Sequence, residues 1–309
     1  MIGKIKMKKL QRAIVTGGAG FIGSHLVDKL IDMGVRVTII DDFSTGKREN
    51  INPAAYCWEQ DLSTVEVSTL TEYMKNVDVV FHMAALARVQ PSIENPVDYH
   101  NVNVTGTHNL LVAARDGGVK RFIYSSSSSI YGDAKVPTLE EHPKNPMSPY
   151  ALHKLIGEQY CKLFNTLYNI DTISLRYFNV YGDRMSLDGA YRLAIPIFAT
   201  QIKEGKPCTI NNDGNQKRDF TYVGDVVEAN ILAAMDEDIK GEVFNIGNGN
   251  NYSVNELVDM MGGEKSYGNK VIEPFETLAD NSKAYFDFGW SPKGNLKKWI
   301  KNYMEKLRL

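Results

Sequence analysis

Tyr150 and Lys154 lie one helical turn apart in Ser148-Pro149-Tyr150-Ala151-Leu152-His153-Lys154, which sets a phenol and an ammonium on the same helical face. A cation beside a phenol favours the phenolate and draws its pKa down from about 10. Such a tyrosine can take and return a proton near neutrality, so the pair reads as a proton-transfer unit. Hydroxyls precede it: the apolar run Lys120-Arg121-Phe122-Ile123-Tyr124 ends in Ser125 to Ser129 and Ile130-Tyr131-Gly132. A serine cluster at a strand's carboxyl end lies where an α/β sheet meets its ligand, although polyserine elsewhere is usually linker.

Near the amino end, Gly17, Gly20 and Gly23 punctuate Gly17-Gly18-Ala19-Gly20-Phe21-Ile22-Gly23 between the apolar run Arg12 to Thr16 and a helical pattern over Ser24 to Met33. The glycines are spaced more widely than in G-x-G-x-x-G. The demand is the same: backbone must approach a pyrophosphate, and the following helix offers free N–H groups and a positive dipole end. The β-branched run Val35 to Ile40 ends at Asp41-Asp42, about two dozen residues past Gly17. An acid there can bind adenosine ribose hydroxyls and repels a 2′-phosphate, which favours NAD over NADP. Asp42 is placed to share that role. Asp61, after Tyr56 to Gln60, is either an adenine contact or a turn acid.

These groups need a frame. Val77 to Met83 is almost wholly apolar, as in a strand buried on both faces of a parallel sheet, and leads into the small residues Ala84-Ala85. Tyr99 to Thr107, carrying Asn101 and Asn103, feeds a helix through Leu110, Leu111 and Ala114. Ser148 suits an N-cap and Pro149 the first helical position, so the Tyr150 helix starts there. Strands alternating with helices predict an α/β fold, a doubly wound, Rossmann-like parallel sheet. Residues 11–179 and 219–246 form the expected NAD-binding domain; 180–218 and 247–309 form a smaller, largely C-terminal substrate domain, with the site in the cleft between them.

A formal charge of −2 gives no general attraction to nucleic acid or an anionic membrane. Cys57, Cys161 and Cys208 lack metal-ligand spacing, pointing to no metal site and a reducing, cytoplasmic setting. Residues 1–10 carry Lys4, Lys6, Lys8 and Lys9 without the apolar stretch of a signal peptide or membrane span, and read as a solvated lead-in.

In chain order, Thr16 to Gly23, the serine strand end and Tyr150-x-x-x-Lys154 resemble the extended short-chain dehydrogenase/reductase family, in its nucleotide-sugar epimerase branch, over nearly the whole chain. The likeness is nearest to UDP-N-acetylglucosamine 4-epimerases. Counting back from Tyr131-Gly132, the resemblance places the catalytic serine at Ser127 beside Tyr150 and Lys154. It places cofactor contacts at Gly17, Gly20, Phe21, Ile22, Asp41, Asp42, Asp61, Leu62, Ala84, Ala85, Asn103, Ser125 and Tyr177. Arg176 to Gly182 resembles the motif whose asparagine, here Asn179, meets the sugar nucleotide. Gly189-Ala190-Tyr191 to Ile195-Pro196-Ile197 resembles the start of the substrate-domain helix, with Ala194 and Asn211 as further substrate contacts. Arg218-Asp219-Phe220 resembles the segment whose guanidinium grips the diphosphate. Thr277 matches a position beside the sugar C2 substituent where enzymes limited to glucose and galactose carry tyrosine. Lys270 stands where a second diphosphate arginine is usual, and Ile272-Glu273 replaces the Gly-Asp that follows it.

The resemblance implies NAD-dependent inversion at C4 of a UDP-hexose through a 4-keto intermediate, most plainly UDP-N-acetylglucosamine to UDP-N-acetylgalactosamine, in a homodimer. Dehydratases and decarboxylases of the family carry a carboxylate just before Tyr-Gly; Ser129 and Ile130 occupy those positions here. The alternatives are a UDP-glucose or UDP-glucuronate 4-epimerase, another nucleotide-sugar dehydratase or decarboxylase, and, from a different class, a non-catalytic NAD-binding regulator.

Overall fold

Strands β1 (Arg12–Thr16), β2 (Arg36–Asp41), β3 (Tyr56–Glu59), β4 (Val79–His82), β5 (Arg121–Ser127), β6 (Asp171–Tyr177) and β7 (Glu242–Ile246) form one parallel sheet in the order β7-β6-β5-β4-β1-β2-β3. The computed structural model describes residues 8–186, 193–268, 270–271 and 273–308. The order reverses between β1 and β4, which pair through Ala13↔Val79 to Thr16↔His82. A doubly wound sheet offers its ligand crevice at that switch point, beyond the carboxyl ends of the strands.

Side chains alternate along each strand, and both faces are covered. Val15, Ile39, Phe81, Ile123 and Leu175 pack with Leu26, Val27 and Leu30 of helix Phe21–Asp32 and with Val226 and Ala229 of helix Val223–Met235. Ile14, Ile40, Val80 and Phe122 pack on the opposite face with Leu110 and Leu111 of helix Gly106–Asp116 and Cys161 and Phe164 of helix Pro149–Tyr168. Fully burying one such aliphatic side chain contributes about 1.5–3 kcal/mol.

A separate cluster joins Phe198 of helix Ala194–Lys203, Leu257 and Val258 of helix Val254–Met261, and Leu296, Ile300 and Met304 of helix Leu296–Arg308. The chain between these units crosses back more than once. Helix Ser282–Phe288 places Ala284 and Phe288, followed by Trp290, in the sheet's own core.

Three local expectations are modified. The helix after the glycine turn begins at Phe21, before Ser24, because Gly20 already serves as its N-cap. Strand β5 takes in Ser125, Ser126 and Ser127, so those serines are sheet, followed by a short 3-10 turn over Ser128–Tyr131. The lead-in is not wholly solvated: Leu10 is buried in the core, and Lys8 donates its backbone N–H to Met235 O at 2.8 Å. Residues 1–7 and Gly189-Ala190-Tyr191 lie outside the described residues. No helix among the described residues is long and apolar enough to cross a membrane.

Candidate active site

Ser148 caps helix Pro149–Tyr168 by accepting the Ala151 N–H at 3.2 Å. The helix lies close on β5 at Gly157, where a Cβ would stand 2.1 Å from the Tyr124 hydroxyl. That approach brings Tyr150, Lys154 and Glu158, on one helical face, against the serine end of the strand. Lys154 is buried, donates to Ser125 O at 2.7 Å and lies 5.1 Å from the Tyr124 ring centroid. Burial lowers its pKa to about 8, so it remains mostly charged at neutrality. Ser127 faces the Tyr150 phenol.

The electrostatics differ from the sequence expectation. Burial raises the Tyr150 pKa, and the opposing influences are the Ser127 hydroxyl and the Arg88 guanidinium, rather than Lys154. Arg88 was missed as a site residue; its only sequence signal is a lone arginine after Ala84-Ala85. It precedes helix Val89–Glu94 with φ +96°, and Ser92 of that helix accepts the Tyr150 N–H at 3.2 Å.

Glu158 continues the helical spacing and was also missed. It binds Arg176 through both carboxylate oxygens, at 2.8 and 2.7 Å, with both side chains buried, and accepts from Ser126 at 2.5 Å. Arg176 also donates to Tyr131 Oη at 2.6 Å. This network fixes the serine strand on both sides of Ser127.

On the cofactor side, Gly17 follows β1 with φ +67°, and a Cβ there would stand 2.7 Å from Ala84 N. A dinucleotide fits this bare backbone, with the N-terminus of helix Phe21–Asp32, including Phe21 and Ile22, turned to its phosphates. Asp41 is buried beneath the turn; its two oxygens accept the Ala19 and Phe43 N–H groups, both at 2.9 Å, and keep lone pairs for a ribose hydroxyl. Asp42 is exposed and accepts from Ser44 N and Oγ, so its place is that of a turn acid. Asp61 likewise accepts from Ser63 N and Oγ through Oδ1, and Leu62 beside it is buried.

Ala84 and Ala85 line the end of β4. Asn103 exchanges both hydrogen bonds with the Leu86 backbone, at 2.9 and 2.8 Å, and so braces that loop rather than offering a free amide. Ser125 and Tyr177 bond each other at 3.1 Å, and Asn230 secures the tyrosine. Beneath them lies His82, which the sequence reading did not single out. Thr107 donates to Asn103 O, so it accepts from His82 Nε2–H, leaving Nδ1 to accept from Thr16. Burial lowers the His82 pKa to about 3, which keeps the ring neutral.

A cavity of about 350 Å³ is lined by Arg88, Asn179, Ala194, Asn211, Arg218 and Glu273, with other side chains. Asn179 donates to Asp219 O at 3.2 Å and Thr277 Oγ1 at 3.3 Å. Thr277 therefore meets the cavity through Asn179 and does not itself line it. Lys270 is exposed and also absent from the lining. Glu273 is present instead: it pairs with Arg218 at 2.5 Å and accepts from Asn212 and Gln216, both at 3.2 Å. Buried Asp219 accepts the N–H groups of Asn248, Gly249 and Ala279 behind this wall, and burial raises its pKa to about 6.

The profile of the NAD dependent epimerase/dehydratase family matches residues 13–247. A putative UDP-glucose 4-epimerase of Methanocaldococcus jannaschii is 40% identical over 303 residues, covering 96% of this chain and 98% of that protein. The structure of a UDP-N-acetylglucosamine 4-epimerase from Methanobrevibacter ruminantium, in complex with UDP-N-acetylmuramic acid, superposes with a TM-score of 0.90 at 35% identity, covering 96% and 98% of the two chains. That of a Thermotoga maritima UDP-glucose 4-epimerase with UDP-glucose gives 0.91 at 37%, covering 96% and 99%.

Proposed function

The chain belongs to the NAD dependent epimerase/dehydratase family, with NAD as its cofactor, and from that premise we propose that it is a UDP-sugar 4-epimerase interconverting UDP-N-acetylglucosamine and UDP-N-acetylgalactosamine. The observation that carries this reading is Ser127 facing the Tyr150 phenol, with Ser128, Ser129 and Ile130, and no carboxylate, following it before Tyr131. Those groups suit proton transfer at one sugar oxygen and offer no extra acid for elimination or decarboxylation.

Gly17, Asp41, Ala84 and Lys154 hold NAD against the sheet. NAD bound there supplies a reversible two-electron acceptor for C4 of the sugar. Tyr150, as phenolate, takes the proton of the 4-hydroxyl, and Ser127 donates a hydrogen bond to the reacting oxygen. Lys154 adds positive charge beneath the site. Tyr150 returns the proton after the 4-keto sugar has presented its other face, while Arg218 keeps the diphosphate anchored. The small Thr277 behind Asn179 supports room for an N-acetyl group. The separate Phe198–Leu257–Ile300 cluster supports a distinct substrate-binding unit, and exposed Leu152, Leu163 and Leu167 on the catalytic helix support pairing with a second copy.

Comparing kcat/KM for UDP-N-acetylglucosamine, UDP-glucose and UDP-glucuronate tests this reading. The N-acetylated sugar should lead in the wild type, and Thr277→Tyr should lower its turnover selectively. An undiminished N-acetyl activity in Thr277→Tyr, or a clear preference for UDP-glucuronate, contradicts the sugar assignment.

A further inference from the structure

Ser129 occupies the first residue pair of the 3-10 turn that follows β5, outside the set of groups placed on the substrate. Its backbone N–H donates to Ser127 Oγ at 3.2 Å, and its hydroxyl donates to the same oxygen at 2.9 Å. A serine hydroxyl has two acceptor lone pairs and one proton. With both lone pairs of Ser127 taken by one neighbour, its remaining hydrogen-bonding capacity is its own O–H. That hydroxyl faces Tyr150.

We propose that Ser129 is a positioning residue that fixes Ser127 as a hydrogen-bond donor, directed at the phenolate of Tyr150 in the free enzyme and at the 4-oxygen of the sugar once substrate is bound. This inference rests on the epimerase reading and assigns a direction to its central hydrogen bond. Ser127 cannot then serve as the base that accepts the sugar's proton; Tyr150 must. A Ser127 proton held on the phenolate also stabilises that charge before substrate arrives.

The surroundings of Tyr150 make the orientation consequential. The charged and titratable groups nearby are Arg88 ahead of helix Val89–Glu94, Tyr124 on β5 and Lys154 one turn along its own helix. Burial raises the Tyr150 pKa, and Ser127 is the neutral group opposing it. Freeing one lone pair of Ser127 lets its hydroxyl rotate away, which weakens the phenolate.

The test is a pair matched in shape, Ser129→Thr and Ser129→Val, with kcat and KM measured across pH on the holoenzyme. Ser129→Thr keeps the hydroxyl and should retain wild-type behaviour. Ser129→Val should lose about tenfold in kcat, the scale of one hydrogen bond, with KM unchanged and the acidic limb of kcat moved to higher pH. Equal kcat and equal acidic limbs in the two variants overturn the proposal. A wild type that binds NAD yet epimerises no nucleotide sugar would instead defeat the epimerase reading, so the two failures are distinguishable.

Discussion

The cofactor side and the substrate cavity are built on opposite plans. Around the glycine turn the polar groups are closed on one another: Asn103 on the Leu86 backbone, Asp41 on Ala19 and Phe43, Ser125 on Tyr177, and His82 between Thr16 and Thr107. In the cavity, the arginine suited to a diphosphate holds Glu273, and the pair is only partly buried. The first region is preorganised, so a ligand meets fixed donors without cost of rearrangement. In the second, under the proposed function, Arg218 exchanges one anion, Glu273, for another when the nucleotide sugar enters. Rigidity lies where chemistry happens, and exchange lies where substrate is captured.

The largest effect that sharpens this contrast belongs to the preorganised side. Tyr150→Phe removes the acid–base group while leaving the ring, and turnover should fall by about 10²–10⁴ with little change in KM; steady-state kinetics would show it. A modest effect concentrated in KM would place Tyr150 with the capture apparatus instead.

Glu273→Gln probes the exchanging side. It removes the charge that competes for Arg218 and should lower KM by roughly 2- to 5-fold, the scale of a partly exposed ion pair, with kcat unchanged. A raised KM would mean that Glu273 holds substrate rather than Arg218.

A third effect concerns proton linkage, and the two regions carry opposite signs. His82 titrates at about 3 when folded, against about 6.5 unfolded. Stability is therefore lost as pH falls through that window, because the unfolded chain binds the proton first. Asp219 titrates at about 6 when folded, against about 3.9 unfolded. Its contribution is favourable at low pH and is lost as pH rises towards 6. Urea midpoints at pH 4.5 and 6.5 separate them: His82→Gln should reduce the acid-side loss and Asp219→Asn should enlarge it, each by up to about 1.4 kcal/mol per pH unit. Identical acid-side losses in both variants would show that the two sites are not coupled to folding in this way.

The same contrast marks what the sequence made legible. The cofactor side follows local rules: a glycine turn between a strand and a helix, an acid after the second strand, a capped helix with tyrosine and lysine one turn apart. Each is set by neighbours in sequence, and strand–helix alternation gives the doubly wound parallel sheet. Arg88, Glu158 and His82 were not legible because their partners lie far along the chain. Glu158 meets Arg176 only once β6 lies beside β5, and His82 meets Thr16 and Thr107 only across the switch point. In the cavity, matching by position named Arg218 and Asn179, which line it, and Lys270 and Thr277, which do not. The fold leaves Lys270 exposed, sets Thr277 behind Asn179 and turns Glu273 inward. Long-range packing, which spacing does not encode, decides such placements.

The most direct test of the central claim is NMR of the purified protein with UDP-N-acetylglucosamine in deuterated water. The account predicts that UDP-N-acetylgalactosamine accumulates to equilibrium and that its C4 retains protium, because the phenol exchanges only the hydroxyl proton. Deuterium at C4, or no inversion at all in protein that binds NAD, would contradict it.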